Sequence, residues 1–209
     1  LDRWPLMGWR GILMGITLLI IWRFFLNSEP AKEWRSLYTW QGLVVIFAFS
    51  VNSIFFTLGI IETSVMLVLT ALATMPIFAA ILSSFMLGEK QGWLGWATII
   101  AAMIGVFIVV YDGNNAIGKP EGSTILGAFF GAITAFGLAL TFTMARKFPE
   151  LGVVPAGAVG ALISGIIGFY LSTEGNIFNA PIWTIFFMGV IILPVSFTFL
   201  IIAPRYTTS

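Results

Sequence analysis

Charged residues divide the chain into long uncharged stretches, and this spacing predicts its secondary structure. Six uncharged stretches of at least 21 residues lie between Arg35 and Arg205. A helix needs about 20 predominantly apolar residues to cross a bilayer, so each stretch accommodates one membrane-spanning helix. Polar and apolar residues do not alternate with period two, so the pattern does not predict membrane strands.

A seventh span, nearest the start of the chain, is less regular because Arg10 and Arg23 lie inside it. Their separation corresponds to about 20 Å of helix rise, so we expect each guanidinium to reach its nearer interface. No charge is then expected at mid-membrane. The predicted spans are residues 6–26, 41–61, one stretch between Glu62 and Glu89, one between Lys90 and Asp112, then 123–145, 153–171 and 181–203.

Composition supports the same class and excludes several others. Hydrophobic residues make up 59% of the 209 residues and charged residues 9%, with a mean hydropathy of +1.02. Soluble domains are about a quarter charged, so this is predicted to be an all-α integral membrane protein in contact with the lipid bilayer. A net charge of +1 argues against a nucleic-acid partner. Cysteine and histidine are both absent, so we predict no metal site, no cofactor and no enzymatic activity.

The distribution of basic residues predicts the orientation. If the loop after the first span is cytoplasmic, seven basic residues lie on that side and three on the other, as the positive-inside rule favours. The longest loops are expected near residues 27–40 and 112–123. The expected location is the bacterial inner membrane.

Two segments recur along the chain and predict an internal repeat. The segment from Pro5 aligns with the segment from Pro155 at an offset of 150, and residues 58–64 align with 202–208 at an offset of 144. These offsets pair the first span with the sixth and the second with the seventh. The pairing implies repeats of five helices. Because five is odd, consecutive repeats enter the membrane from opposite sides, which is the architecture of secondary transporters. The chain is expected to be a fragment, truncated at both ends.

The third and fourth spans carry a more specific pattern. Glu62-Thr63-Ser64-Val65 is followed by an Ala73–Ser83 segment around Pro76, then by Leu87-Gly88-Glu89-Lys90 and an amphiphilic helix from Trp93. This run resembles the EamA domain of the drug/metabolite transporter superfamily. The resemblance implies a ten-helix permease with two inverted five-helix repeats around a central cavity. Residues 1–111 would be the first repeat without its first helix, 112–122 an external linker, and 123–209 the first three helices of the second repeat.

Asn52 is the strongest polar candidate at depth, beside Ser50, Ser53 and Thr57 in the second span. A carboxamide offers donors and an acceptor that lipid cannot satisfy. It is expected either to line a substrate cavity or to join neighbouring helices by hydrogen bonds.

Prolines and hydroxyl residues supply the other candidates. Pro76 and Pro194 each remove a backbone donor in mid-span, and they are predicted to be hinges in opposite repeats. Thr residues in helices also bond their own preceding carbonyl, so a purely structural role stays open for them. The predicted substrate-binding residues are Asn52, Thr70, Thr74, Thr134, Ser196 and Thr198.

Two functions remain in competition at this point. The first is a secondary transporter, more specifically an exporter, of a small-molecule substrate such as an amino acid, with coupling to a proton or a counter-substrate left open. The second is a membrane-embedded scaffold or receptor-like subunit that transports nothing. An inverted repeat discriminates between them, because transport by alternating access requires it.

Overall fold

The computed structural model describes residues 3–26, 30–63, 65–89, 92–116, 124–172 and 182–206. Every secondary-structure element within these ranges is helical, and two short segments, π1 and π2, have the wider π-helical turn. The elements are α1 (Arg3–Ile21), π1 (Trp22–Leu26), α2 (Pro30–Ser36), α3 (Trp40–Glu62), α4 (Val65–Leu72), α5 (Met75–Leu87), α6 (Trp93–Ala116), α7 (Thr124–Lys147), α8 (Val153–Leu171), α9 (Ile182–Phe187), π2 (Met188–Ile192) and α10 (Leu193–Tyr206).

Six helical stretches of the described chain are long and apolar enough to cross a membrane. The all-α membrane class predicted from the charge spacing is therefore confirmed. The remaining predicted span, between Lys90 and Asp112, falls on α6, whose apolar stretch within the described residues is the shorter segment Trp93–Gly105. The six stretches are Trp4–Leu26, Trp40–Glu62, Leu67–Leu87, Leu126–Lys147, Val153–Leu171 and Trp183–Ile201.

Both loops expected to be longest are partly helical. Residues 30–36 form α2, with Pro30 at its start, where a missing N–H costs nothing. The indole Nε1 of Trp22 donates to Glu33 Oε2 at 2.5 Å, and the N–H of Gly152 donates to Ser36 Oγ at 3.0 Å. These bonds hold α2 against π1 and against the start of α8.

At the second loop, α6 continues to Ala116, so part of the predicted 112–122 linker is helical.

The third span is broken where Pro76 predicted a discontinuity. Helix α4 ends at Leu72, and α5 begins at Met75 after a turn at Ala73 and Thr74. Pro76 has no N–H for the Leu72 carbonyl. The Thr74 hydroxyl donates to the carbonyl of Ala71 at 2.7 Å, which supplies one local bond at the break.

The last predicted span, residues 181–203, remains helical through Pro194, but its winding changes from an α-helix to a π-helix just before the proline. In π2 the backbone bonds skip five residues, as in the bond from Leu193 N–H to Met188 O. Pro194 follows immediately and is fully buried. A π turn and a proline are two of the recognised causes of a helix bend, and here they are adjacent.

Packing divides the chain into two compact units. Unit 1 comprises Leu1–Ser53 with Phe148–Ser209, and unit 2 comprises Ile54–Lys147. Unit 1 therefore joins both ends of the chain, whereas unit 2 is continuous. The predicted repeats 1–111 and 123–209 follow a different division, based on sequence equivalence rather than contact.

Helices α1 and α8 form the most intimate contact of unit 1. A Cβ atom added to Gly11 would lie 2.6 Å from the backbone of Gly165, and one added to Gly168 would lie 2.5 Å from the nitrogen of Gly8. Small residues permit this close backbone approach in membranes. The glycine-rich segments of α1 and α8 are therefore packing surfaces.

The order of contacts shows that the two helices run in opposite directions. Gly8 meets the end of α8 at Phe169, whereas Gly15 meets Leu162 and Ala158 nearer its start. Helix α1 is the predicted repeat partner of α8, and an inverted repeat requires this antiparallel direction.

The second predicted pair, α3 and α10, also runs in opposite directions. Along α3, Ser50 and Ser53 bond in that order to Gly160 and Ser164 of α8, so α3 and α8 are parallel. Helix α10 runs the other way, because Gly189 packs near Leu13 of α1 while Phe197 packs on Gly157, near the start of α8. Superposition of the two repeats stays a prediction.

In unit 2, the small residues of α7 face α4 and the end of α3. A Cβ atom on Gly127 would lie 2.5 Å from the Thr63 hydroxyl, and one on Gly131 would overlap Ala71. Ala135 and Ala139, which continue this row of small residues, are fully buried. The row is therefore a packing surface.

The predicted orientation can be tested by single-cysteine labelling, because the chain has no cysteine of its own. In intact cells, a membrane-impermeant maleimide is expected to label Ser123→Cys, whereas Lys32→Cys should react only after permeabilisation. The unsubstituted protein gives the background. The reverse pattern would contradict the cytoplasmic assignment of the loop that contains α2.

Candidate functional site

Arg10 points into unit 1 rather than toward the interface. Its Nη2 atom lies 3.1 Å from both the carbonyl oxygen and the Oγ atom of Ser53. Ser53 is buried near the middle of α3. The expectation that Arg10 snorkels, and that no charge reaches mid-membrane, is therefore wrong. The physical reason is local: Ser53 offers two acceptors to a group that only donates.

Ser164 of α8 extends this contact into a three-helix network. Its Oγ atom is 2.9 Å from Ser53 Oγ and 2.8 Å from the carbonyl oxygen of Ala161, and the residue is fully buried. Because guanidinium accepts no hydrogen bond, Ser53 Oγ acts as acceptor toward Arg10. We call Arg10, Ser53 and Ser164 the arginine–serine network.

Asn52 precedes Ser53 and is buried, with 8% of its surface exposed. Its Oδ1 atom has no hydrogen-bond partner among the described residues. Leaving a buried acceptor unsatisfied costs about 1–3 kcal/mol. Asn52 therefore differs from Ser50, whose hydroxyl contacts the Ile46 carbonyl within α3 and the Gly160 carbonyl of α8. An Oδ1 atom without a partner does not act as a hydrogen-bonding link between helices.

Thr198 of α10 shows the same property. It is 8% exposed, and its hydroxyl oxygen is buried without a partner in the described part of the chain. Its neighbour Phe197 packs edge-on against Phe49 with ring centroids 4.7 Å apart. Phe49 lies one helical turn before Asn52 on α3, so α10 approaches the face of α3 that carries Asn52.

Ser196 differs from Thr198, although the sequence grouped them. Ser196 is exposed and Thr198 is buried, because residues two apart on a helix point about 200° apart. Pro194, one turn before Thr198, shares its buried side. Within unit 1, Asn52 and Thr198 are the predicted site residues that combine burial with an unsatisfied oxygen.

The other three predicted residues belong to unit 2. Thr70 and Thr134 are buried, and Thr74 is half-buried. The hydroxyl of Thr134 donates to Phe130 O at 2.9 Å, and that of Thr74, in the turn between α4 and α5, donates to the Ala71 carbonyl. Such bonds are the structural alternative that the sequence left open for threonine. Pro76 is exposed, beside the break it was predicted to cause.

Unit 2 also contains an apolar groove of about 410 Å³ against α6. Its walls carry aliphatic, methionine and aromatic side chains, so the groove offers few hydrogen bonds to a polar ligand. The lining residues are Ile77, Trp96, Ile99, Ile100, Met103, Ile104 and Phe107.

Glu89 of the Leu-Gly-Glu motif pairs with Arg146 at the end of α7. Glu89 Oε1 accepts a bond from Arg146 Nη2 at 2.7 Å, and both side chains are about half exposed. The chain turns at Gly88, whose φ of 71° is left-handed, and this turn ends α5 just before Glu89. An exposed pair of this kind contributes little stability.

Comparison with known proteins gives one finding. The sequence profile described as the EamA-like transporter family matches residues 1–111, slightly more than half of the chain. Neither the curated proteins nor the solved structures show a significant match.

Proposed function

The chain belongs to the EamA-like transporter family, and from this premise we propose that it is a secondary transporter of a small polar metabolite such as an amino acid. We further propose export as the direction and the bacterial inner membrane as the location. The wider class, a membrane protein of a transporter family, follows from the family match and the six apolar helices.

The proposed mechanism is alternating access between two inverted helical repeats. It is supported by the opposite directions of α1 and α8 and of α3 and α10, the predicted repeat pairs. It is also supported by the break before Pro76 and the π turn before Pro194, where helices bend at low cost. In this proposal Pro76 and Pro194 are the hinges.

The observation that carries the proposal is the unsatisfied oxygen of Asn52 inside a membrane helix. Such a residue in a bilayer is costly and points to a substrate pathway. The proposed substrate-binding set is Asn52 and Thr198, with Thr70, Thr74, Thr134 and Ser196 as further members. Coupling to a proton or a counter-substrate would supply the driving force.

Counterflow in proteoliposomes tests this function against the scaffold alternative. Vesicles loaded with a mixture of the twenty protein amino acids are diluted into trace radiolabelled amino acid. A transporter should accumulate label transiently in protein-containing vesicles and not in protein-free ones. Folded, reconstituted protein that exchanges none of the twenty would contradict the proposal and favour a non-transporting subunit.

A further inference from the structure

Helix α2 forms a surface that the proposed function does not use. It lies between the apolar stretches Trp4–Leu26 and Trp40–Glu62, and three residues separate it from each of them. An extended chain spans only about 3.5 Å per residue, so these short connections keep α2 close to the ends of both stretches. Helix α2 therefore lies at the membrane surface.

One side of α2 is held against the rest of unit 1. The indole of Trp22 in π1 donates to the carboxylate of Glu33, and the Ser36 hydroxyl accepts the N–H of Gly152, which precedes α8. Glu33 and Ser36 are three residues apart, so they are neighbours on the helix surface. The carboxylate of α2 is thereby directed toward the protein.

The remaining side of α2 is exposed, and we call it the outer face; it consists of Ala31, Lys32, Trp34 and Arg35. Arg35 lies about 160° around the helix from Glu33. Among the residues that the structure describes, the Arg35 guanidinium has no hydrogen-bond or ion-pair partner. Lys32 lies three residues earlier, so the two positive charges are neighbours.

Aromatic side chains mark the depth of the outer face in the membrane. The rings of Trp34 and Trp22 are in contact, with centroids 5.8 Å apart. Tyr38 and Trp40, which follow α2, are exposed. Tryptophan and tyrosine are enriched where a bilayer meets water, at the level of the lipid headgroups. The outer face thus lies at the level of the lipid phosphates.

We propose that the outer face of α2 binds the headgroup phosphate of an anionic phospholipid, with phosphatidylglycerol as the type case. The planar guanidinium of Arg35 matches two phosphate oxygens, and Lys32 adds a second positive charge beside it. A lipid is favoured over a free phosphate ester because α2 is confined to the membrane surface. If these charges served only to orient the protein during insertion, the folded protein would not distinguish between lipids.

The test is lipid binding by the purified, delipidated protein in a nonionic detergent, followed by native mass spectrometry. Phosphatidylglycerol and zwitterionic phosphatidylcholine with the same acyl chains are titrated separately. We expect the wild-type protein to bind phosphatidylglycerol at least tenfold more tightly. In the double variant Lys32→Gln, Arg35→Gln, the affinity for phosphatidylglycerol should fall about 25-fold, or about fivefold for each charge. The affinity for phosphatidylcholine should not change.

Two further double variants serve as controls. Arg146→Gln, Lys147→Gln removes two exposed basic side chains from the end of α7 and should leave the affinity for phosphatidylglycerol within about twofold of the wild type. Lys32→Arg, Arg35→Lys keeps both charges on the outer face and should retain most of the preference for phosphatidylglycerol. The substituted positions of α2 are exposed, so the melting temperature should stay near that of the wild type.

Three results would overturn the inference. The first is equal affinity of the wild-type protein for the two lipids. The second is an equal loss of affinity in the glutamine variants of α2 and α7, because binding would then follow net charge alone. The third is competition by glycerol 3-phosphate at the same concentration as the lipid, because a soluble phosphate ester would then be the ligand. None of these measurements depends on transport, which counterflow tests separately.

Discussion

Replacing Gly165 by leucine is expected to eliminate most of the folded protein. A Cβ atom at Gly165 would lie 2.7 Å from the backbone nitrogen of Ile12 and 3.0 Å from the carbonyl carbon of Gly11. Backbone atoms cannot rotate away as side chains do, so α1 and α8 would have to separate along their whole contact. Overpacking of this kind typically costs 1–3 kcal/mol and occasionally more, and a four-carbon side chain at this distance belongs to the upper end.

The measurement is the yield of monodisperse protein after detergent extraction, together with its melting temperature. Gly105→Leu is the matched control, because Gly105 also lies within an apolar helix, α6, but has nothing within 4 Å of an added Cβ atom. Its yield should remain close to that of the wild type. If Gly165→Leu and Gly105→Leu gave equal yields and equal melting temperatures, the close α1–α8 contact would be contradicted.

Asn52→Leu is expected to nearly abolish transport while leaving the folded yield intact. The substitution removes a carboxamide whose Oδ1 atom has no partner among the described residues, so few protein hydrogen bonds are lost. Leucine is tolerated in lipid or in a packed bundle. A substrate that relied on this oxygen would lose a hydrogen bond inside a dry site, where it is hardest to replace.

Substrate binding and melting temperature should be measured on one purified sample. If Asn52 instead joined helices by a hydrogen bond, the loss of that bond would cost about 0.6 kcal/mol of stability on average. The melting temperature would then fall modestly, and the substrate affinity would stay near that of the wild type. Ser84→Leu, a change at an exposed polar position of α5, controls for added hydrophobicity. Unchanged binding in a destabilised Asn52→Leu protein would remove Asn52 from the site.

Much of the helical layout could be predicted because charges are excluded from the bilayer core. The predicted sixth span and α8 share the bounds Val153–Leu171, since Glu150 and Glu174 confine it closely. Helix α2 escaped prediction because seven residues with two basic side chains show no apolar period. Its stability comes from Trp22 and Gly152, which are distant in sequence.

The candidate site was predicted less completely for a geometric reason. The depth of Asn52 along its span follows from its distance to the nearest charges, and the structure shows that the residue is buried. Whether an arginine side chain turns toward water or toward a serine 43 residues away depends on which helices are neighbours. Spacing along the chain does not contain that information. The same holds for the unsatisfied oxygen of Thr198, which depends on what α10 packs against.

The contact between α1 and α8 has a consequence for the order of assembly during synthesis. Helix α1 is synthesised before its partner, which begins about 130 residues after α1 ends. At about 5–20 residues per second, α1 waits roughly 7 to 26 s. During that interval α8 is not yet present to pack on the glycine-rich face of α1 or beside Arg10. Helix α1 meanwhile lies in the insertion machinery or in the bilayer. Nascent chains arrested before residue 153 should therefore hold α1 in a state open to quality-control proteases, and release from this state requires the synthesis of α8 (Val153–Leu171).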